Sequence, residues 1–154
     1  ARRYSYQPRS PRSITRCTRA TIGCHTVRRM AFITRTRESP ALTVFTIEGP
    51  CSAAEMMSAL DDFARAGLTP CALLDFTRGS VAIPAADLKA TLAHGHRYAA
   101  QRAGGRTALV VSQDVDFGMG RMLEVFAELA DFPVDFRVFR DVEEARRWIG
   151  GTPR

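Results

Sequence analysis

Two short, unbroken apolar runs, CALLDF at 71–76 and TALVVS at 107–112, constrain this chain more than any other feature. Runs of that length without polar alternation are what strands look like when both faces are covered. A segment of helix length lies before and after each of them. Strand, helix and strand in that alternation imply right-handed crossovers and a largely parallel sheet with helices packed on it.

The flanking segments support the same reading. Residues 31–37 and 41–48, joined by Glu38-Ser39-Pro40, read as the two strands of a hairpin. Between 52 and 67, Ala53, Met56, Met57, Leu60, Phe63 and Ala64 recur at helical spacing on one face. Ser52 with Glu55 forms a capping box there, and Gly67 ends the helix. Pro84 opens a second helix running to about Ala103, with Ala85, Leu88, Leu92 and Ala99 on its inner side. A third helix is expected from about Phe117 to Ala130, with Asp116 as N-cap and Met119, Met122, Leu123, Phe126 and Ala130 facing inward. VDFRVF at 134–139 alternates and reads as an edge-like strand. Asp141 with Glu144 caps a last helix that carries Val142, Ala145, Trp148 and Ile149 and closes at Gly150-Gly151. The fold class is therefore α/β: an N-terminal β-hairpin, then βαβαβα, with a mostly parallel central sheet of about five strands.

Charge is distributed unevenly along this plan. Residues 1–29 hold eight arginines and no acid, whereas the 14 basic and 16 acidic residues of 30–154 give a formal charge of −2. The formal +6 of the whole chain belongs to that Arg-, Ser- and Thr-rich segment, so a specific nucleic-acid partner does not follow from it. Residues 1–29 are expected to be a disordered tail preceding a natural start at Met30, with a basic arm or a transit peptide as the other readings. Residues 30–151 are expected to form one domain. No apolar run reaches the roughly 20 residues that span a bilayer, and no signal-peptide core is present, so the body reads as cytoplasmic. Cys17, Cys24, Cys51 and Cys71 show no disulfide framework, and the spacing of Cys17, Cys24 and His25 matches no zinc pattern. No metal or cofactor is expected.

The order of elements, together with VVSQDVDFGMGRM (110–122) and FRVFRDVEEARRWIG (136–150), resembles the STAS/Sec14-like family of small bacterial proteins with the SpoIIAA-like fold. The likeness covers about residues 36–150. The resemblance implies a non-enzymatic module for protein partners or small apolar ligands. Anti-sigma-factor antagonists of this fold carry an Asp-Ser-Ser/Thr-Gly loop phosphorylated on a hydroxyl. Here the corresponding loop is DFTRGSVAIPAAD (75–87), with Ile83-Pro84-Ala85 in place of the phosphorylated stretch and only Thr77 and Ser80 as candidate acceptors.

In an open α/β sheet the carboxyl ends of the strands and the helix N-termini share one rim. That places Thr77, Arg78 and Ser80 with Ser112, Gln113, Gly118, Gly120 and Arg121 as a candidate ligand or anion site. The alternative for Arg121 is structural, an ion pair with Asp114, Asp116 or an acid of a neighbouring loop. Asp116-Phe117-Gly118 spells a kinase metal triplet, but the chain contains no Asn and a single lysine, Lys89, which excludes that machinery. His94 and His96, two apart on one helix, point in different directions and do not share a metal. Cys51 at a helix start is either a small filler thiol or one acidified by the dipole. Met56, Met57, Met119 and Met122 read as core, or as the lining of a lipid-sized cavity. Two functions follow as expectations. One is recognition of a protein partner, including self-association as a homodimer through a helix face. The other is carriage of a small apolar ligand between helices and sheet, which requires a void of about 300 Å³ or more.

Overall fold

Ser39 closes the first hairpin by accepting from the backbone amides of Ala41 and Leu42 through its hydroxyl. The computed structural model describes residues 30–151, so the expected Arg-rich tail with Cys17, Cys24 and His25 lies outside the described residues. The hairpin joins β1 (Phe32–Arg37) to β2 (Leu42–Cys51) in antiparallel register, with Ile33 opposite Ile47. The chain then runs through α1 (Ala53–Arg65), β3 (Cys71–Val81), α2 (Ala85–Ala99) and a 3-10 turn (Ala100–Arg102). It continues through β4 (Arg106–Val111), α3 (Asp114–Leu129), β5 (Asp135–Phe139) and α4 (Val142–Gly150). The five strands lie in sequence order, β1-β2-β3-β4-β5, and every pair after the first is parallel. The expected α/β architecture is the one observed.

Consecutive order has a consequence for layering. Each parallel crossover steps in the same direction, so α1, α2 and α3 cover one face of the sheet. Phe45, Ile47, Ala72, Phe76, Leu109, Val111 and Val138 point into that layer with Met56, Phe63 and Leu88 from the helices. The alternate residues Val44, Leu73, Ala108, Val110 and Phe139 point to the other face, which α4 covers with Ala145 and Ile149. All six residues of β4 are buried, as its unbroken apolar run requires.

Capping follows the sequence where side chains supply it. Ser52 and Glu55 make the capping box of α1, and Asp141 caps α4 by accepting from the Glu144 amide at 2.7 Å. Two buried arginines were not legible in the pattern. Arg102 donates to the carbonyls of Thr69 and Pro70 and stacks 5.4 Å from the Phe63 ring; burial pulls its pKa down to about 10. Arg106 donates to the carbonyls of Trp148 and Gly151, satisfying the open C-terminal end of α4.

Two expectations require correction. Strand β3 does not stop at Phe76 but pairs with β2 as far as Val81. The register slips by one residue between Thr46↔Asp75 and Glu48↔Arg78. Asp75 holds this bulge by accepting from the Thr77 amide at 2.9 Å and hydroxyl at 2.7 Å. Beyond it Gly79 lies so close to β2 that a Cβ there would stand 2.7 Å from the Ile47 carbonyl oxygen. The Asp, Thr, Gly and Ser that read as a loop therefore build a bulged strand. The second correction is the phase of α3. Its buried residues are Asp116, Gly120, Glu124 and Ala127, while Met122 is 39% exposed and Ala130 is exposed.

Candidate functional site

The expected polar rim is spread out by the real geometry. The last rung of the β3–β4 ladder is Phe76↔Val111, so Thr77 and Ser112 each lie one residue beyond it. Arg78 turns toward β2 and pairs with Glu48 at 2.8 Å. Ser80 lies opposite Pro50 in the β2–β3 extension, and Gln113 flanks α3 without making a side-chain cap. Asp116, the expected N-cap, instead lies in the first turn of a helix that begins at Asp114. Arg121 is seven residues further on, about 10 Å along the helix axis, and its guanidinium pairs with Glu124 on the same helix. Asp114 pairs at 2.6 Å with Arg140, whose guanidinium stacks 4.4 Å from the Phe117 ring. The acids expected to hold Arg121 thus have other partners or none, and Arg121 does not reach the rim.

The inward side of α3 is unusual in carrying two carboxylates. Glu124, 7% exposed, accepts the Val138 amide of edge strand β5 at 2.5 Å and takes Arg121 on its other oxygen. Asp116, 3% exposed, accepts from the Val81 amide at the end of the β3 extension, where β4 no longer runs alongside. Its Oδ2 is buried without a hydrogen-bond partner among the described residues, and burial raises its pKa against the pull of the Val81 bond. Both acids satisfy strand amides that lack a neighbouring strand, which protects the sheet edge. Between them Gly120 lets the helix approach the sheet: a Cβ would stand 2.6 Å from Val138 Cγ2 and 3.1 Å from Leu109 Cδ2. Gly118 has nothing among the described residues within 4 Å of a built Cβ, so packing among them does not require it.

Opposite this face α3 presents an apolar stripe to solvent. Val115 is 75% exposed, Met122 39%, Val125 48% and Leu129 78%, so four of the six large apolar residues exposed among the described residues lie on one helix. With Gly118 they follow the 115, 118, 122, 125, 129 spacing of a heptad seam. A column of Asp114, Arg121 and Glu128 borders the stripe on one side. On the other side a groove of about 500 Å³ between α2 and α3 is lined by Leu92, His96, Phe126 and Leu129, with the Lys89 ammonium 5.0 Å from the Phe126 ring.

The remaining chemistry-bearing groups have structural occupations. Asp61 accepts from the Tyr98 hydroxyl at 2.6 Å and pairs with His94 at 2.7 Å, joining α1 to α2; these two bonds hold its carboxyl below the ordinary range. His94 is partly buried and His96 exposed. Cys51 is fully buried, and desolvation with the charge of Glu55 pushes its thiol up to about 12, so the helix start does not acidify it. Cys71 is partly buried. Among the described residues no group of three His, Cys, Asp or Glu side chains is placed to hold a metal ion. No helix among them is long and apolar enough to cross a membrane. Under the helices lie two adjoining apolar cavities of about 100 and about 50 Å³, which share Met56, Leu74 and Leu123 in their walls.

Fold and surface together define an α/β module with three helices on one face of its sheet, one on the other, and a solvent-facing apolar helix stripe. No family model and no curated protein matches the chain. Among solved structures it is similar to an uncharacterised protein of the DUF3478 family with a SpoIIAA-like fold from Shewanella loihica PV-4. That alignment has 24% identity, covers 77% of this chain and 93% of the other, and gives a TM-score of 0.48. It is also similar to the anti-sigma factor antagonist SpoIIAA in its unphosphorylated form, at 14% identity over 79% of this chain and 100% of that one, with a TM-score of 0.48. The phosphorylated form of the Bacillus cell fate determinant SpoIIAA matches at 13% identity over 76% and 99%, with a TM-score of 0.44.

Proposed function

We propose that the chain is a non-catalytic STAS/Sec14-like module that acts by contact with protein, and that the outer face of α3 is the contact surface. The observation that carries this reading is the seam of Val115, Met122, Val125 and Leu129, exposed on a helix whose other face is buried. A contiguous apolar patch of this kind, bordered by charges, is characteristic of interaction surfaces. Carriage of an apolar ligand has less support, because the interior cavities of about 100 and about 50 Å³ fall well below the space a lipid-sized ligand occupies. Catalysis has less support again: Asp61, His94 and Tyr98 are engaged with one another, and the Cys51 thiol stays protonated at neutral pH.

The test is site-specific photo-crosslinking in cells expressing the full chain. A photoreactive residue is placed at Met122, and at Glu143 on α4 as the control position. Adducts to polypeptide are expected from position 122 and not from 143, and they disappear when Leu129→Glu is added. Absence of capture at 122, or equal capture at both positions, overturns the reading.

A further inference from the structure

The charges beside the α3 seam specify one occupant, a second copy of this chain, and they specify how it lies. We propose that α3 packs against α3 of a second copy, antiparallel, with Arg121 of each copy facing Glu128 of the other. This rests on the protein-contact reading above and names its partner.

The seam residues Val115, Gly118, Met122, Val125 and Leu129 occupy alternating core positions of a heptad. The two flanks differ sharply. One carries Asp114, Arg121 and Glu128; the other carries Met119 and Phe126, which are half-buried toward α2. In a parallel pair the charged flank of one helix faces the apolar flank of the other, stranding Asp114 against Met119 and Arg121 against Phe126. An antiparallel pair sets charged flank against charged flank and apolar against apolar. Its register is then decided by sign. Centred on position 121, the pair opposes Arg121 to Arg121 and Asp114 to Glu128, which is repulsive throughout. Displaced by one heptad, it opposes Arg121 to Glu128 twice.

That displaced register also solves the packing. It lays Met122 of one copy on Val125 of the other, and Leu129 over Gly118, each twice by the two-fold. On the apolar flank it brings Met119 to Phe126. Gly118, which no contact among the described residues requires, becomes the recess that receives Leu129, the joint most exposed of their large apolar side chains. Glu128 has no ion-pair partner among the described residues, and Arg121, 60% exposed, has donors left beyond the one given to Glu124. The opposite displacement pairs Arg121 with Asp114, but leaves only Val115 and Gly118 in contact and competes with Arg140 for Asp114. A two-fold pair made from one self-complementary patch is the commonest form of homo-oligomer.

Sedimentation of the full chain tests this directly. The parent is expected to be a dimer at about 100 µM. Leu129→Glu is expected to weaken association at least about 30-fold, with an unchanged far-UV circular dichroism spectrum. Arg121→Glu and Glu128→Arg each create like-charge contacts and are expected to be monomeric alone. Mixed in equal amounts, they restore both opposite-charge contacts and form the mixed dimer. Should Arg121→Glu fail to fold without its Glu124 partner, Glu128→Arg and Leu129→Glu decide the matter, since both positions are solvent-exposed. A monomeric parent overturns self-pairing, and capture of other polypeptides from position 122 then leaves the protein-contact reading standing. A dimer indifferent to Leu129→Glu overturns the surface. A dimer lost with Leu129→Glu but not re-formed on mixing overturns the register.

Discussion

Asp116 is a carboxyl group from which water has been removed without full replacement. One oxygen takes the Val81 amide; the other has no hydrogen-bond partner among the described residues. Burial raises its pKa above the ordinary aspartate value of 3.8, so the folded chain holds this proton more tightly than the unfolded chain does. The sign of the linkage follows. The stability contributed by this group is fully present below 3.8 and is lost as pH rises through the raised folded value, leaving an unsatisfied buried charge at neutral pH. Asp116→Asn keeps an oxygen for Val81 and removes the charge. The variant is expected to be more stable than the parent at pH 7, by on the order of 1 kcal/mol, and the advantage shrinks as the pH falls toward 4. Thermal melts at both pH values measure it. A variant less stable than the parent at pH 7 would mean that the charge itself is needed. Sequence reasoning placed Asp116 as an N-cap because an aspartate ahead of a helix is ordinarily that; the burial comes from the β3 extension, which no local pattern signals.

At the scale of elements, α3 shows why a helix can be located without its orientation being known. Its large apolar residues Met119, Met122, Leu123, Val125, Phe126 and Leu129 share one broad side, and part of that side faces solvent. Periodicity therefore supports the helix and says little about which side is inside. The inner side is set by features that hydrophobicity scores do not count, namely the close approach at Gly120 and two acids that satisfy strand amides. The same holds for β3, whose polar continuation reads as a loop until the Asp75 bulge is seen. Elements flanked by side-chain caps were legible, as Ser52 and Asp141 demonstrate. The candidate site was legible only in part, because Thr77, Arg78, Ser80, Ser112 and Gln113 could be assigned to the carboxyl end of the sheet but not to a shared pocket. The two glycines of α3 provide a paired measurement. Gly120→Ala drives a methyl into Val138 and is expected to cost about 1–3 kcal/mol. Gly118→Ala meets open space and is expected to raise the stability of the monomer by up to about 1 kcal/mol. Denaturant midpoints of the two variants measured with Leu129→Glu in the background, which is chosen to remove the proposed self-association, decide it. Equal effects would contradict the assigned face.

For the whole molecule the asymmetry of the layers matters most. Three helices cover one face of the sheet, and nine-residue α4 covers the other alone. A helix that short is not stable by itself and depends on what it covers. Here it covers the middle of the sheet, since Ala145 and Ile149 pack on Leu73, Ala108 and Val110 of β3 and β4. It is also tied at its middle and at its C-terminal end: Arg146 forms a bidentate pair with Glu38 of the first hairpin at 2.7 and 2.9 Å, and Arg106 holds its C-terminal carbonyls. Hydrogen bonding to Arg146 lowers the pKa of Glu38, so this tie is present at neutral pH and weakens as the pH falls through the lowered value. Trp148 reports on this helix with unusual cleanness, because it is the chain's single tryptophan and stands 5.5 Å from the Phe139 ring. If α4 were an appendage, its fluorescence would change at lower denaturant than the ellipticity of the sheet and the other helices. Because its apolar contacts are those of the central strands, losing it exposes the same residues whose burial holds β3 and β4 together. Fluorescence and far-UV transitions of the Leu129→Glu variant are therefore expected to coincide in one cooperative step. A fluorescence midpoint displaced by about 0.5 M urea or more, on a slope of about 1–3 kcal/mol/M, would show instead that α4 leaves first and that the second face is closed by something the sheet does not need in order to fold.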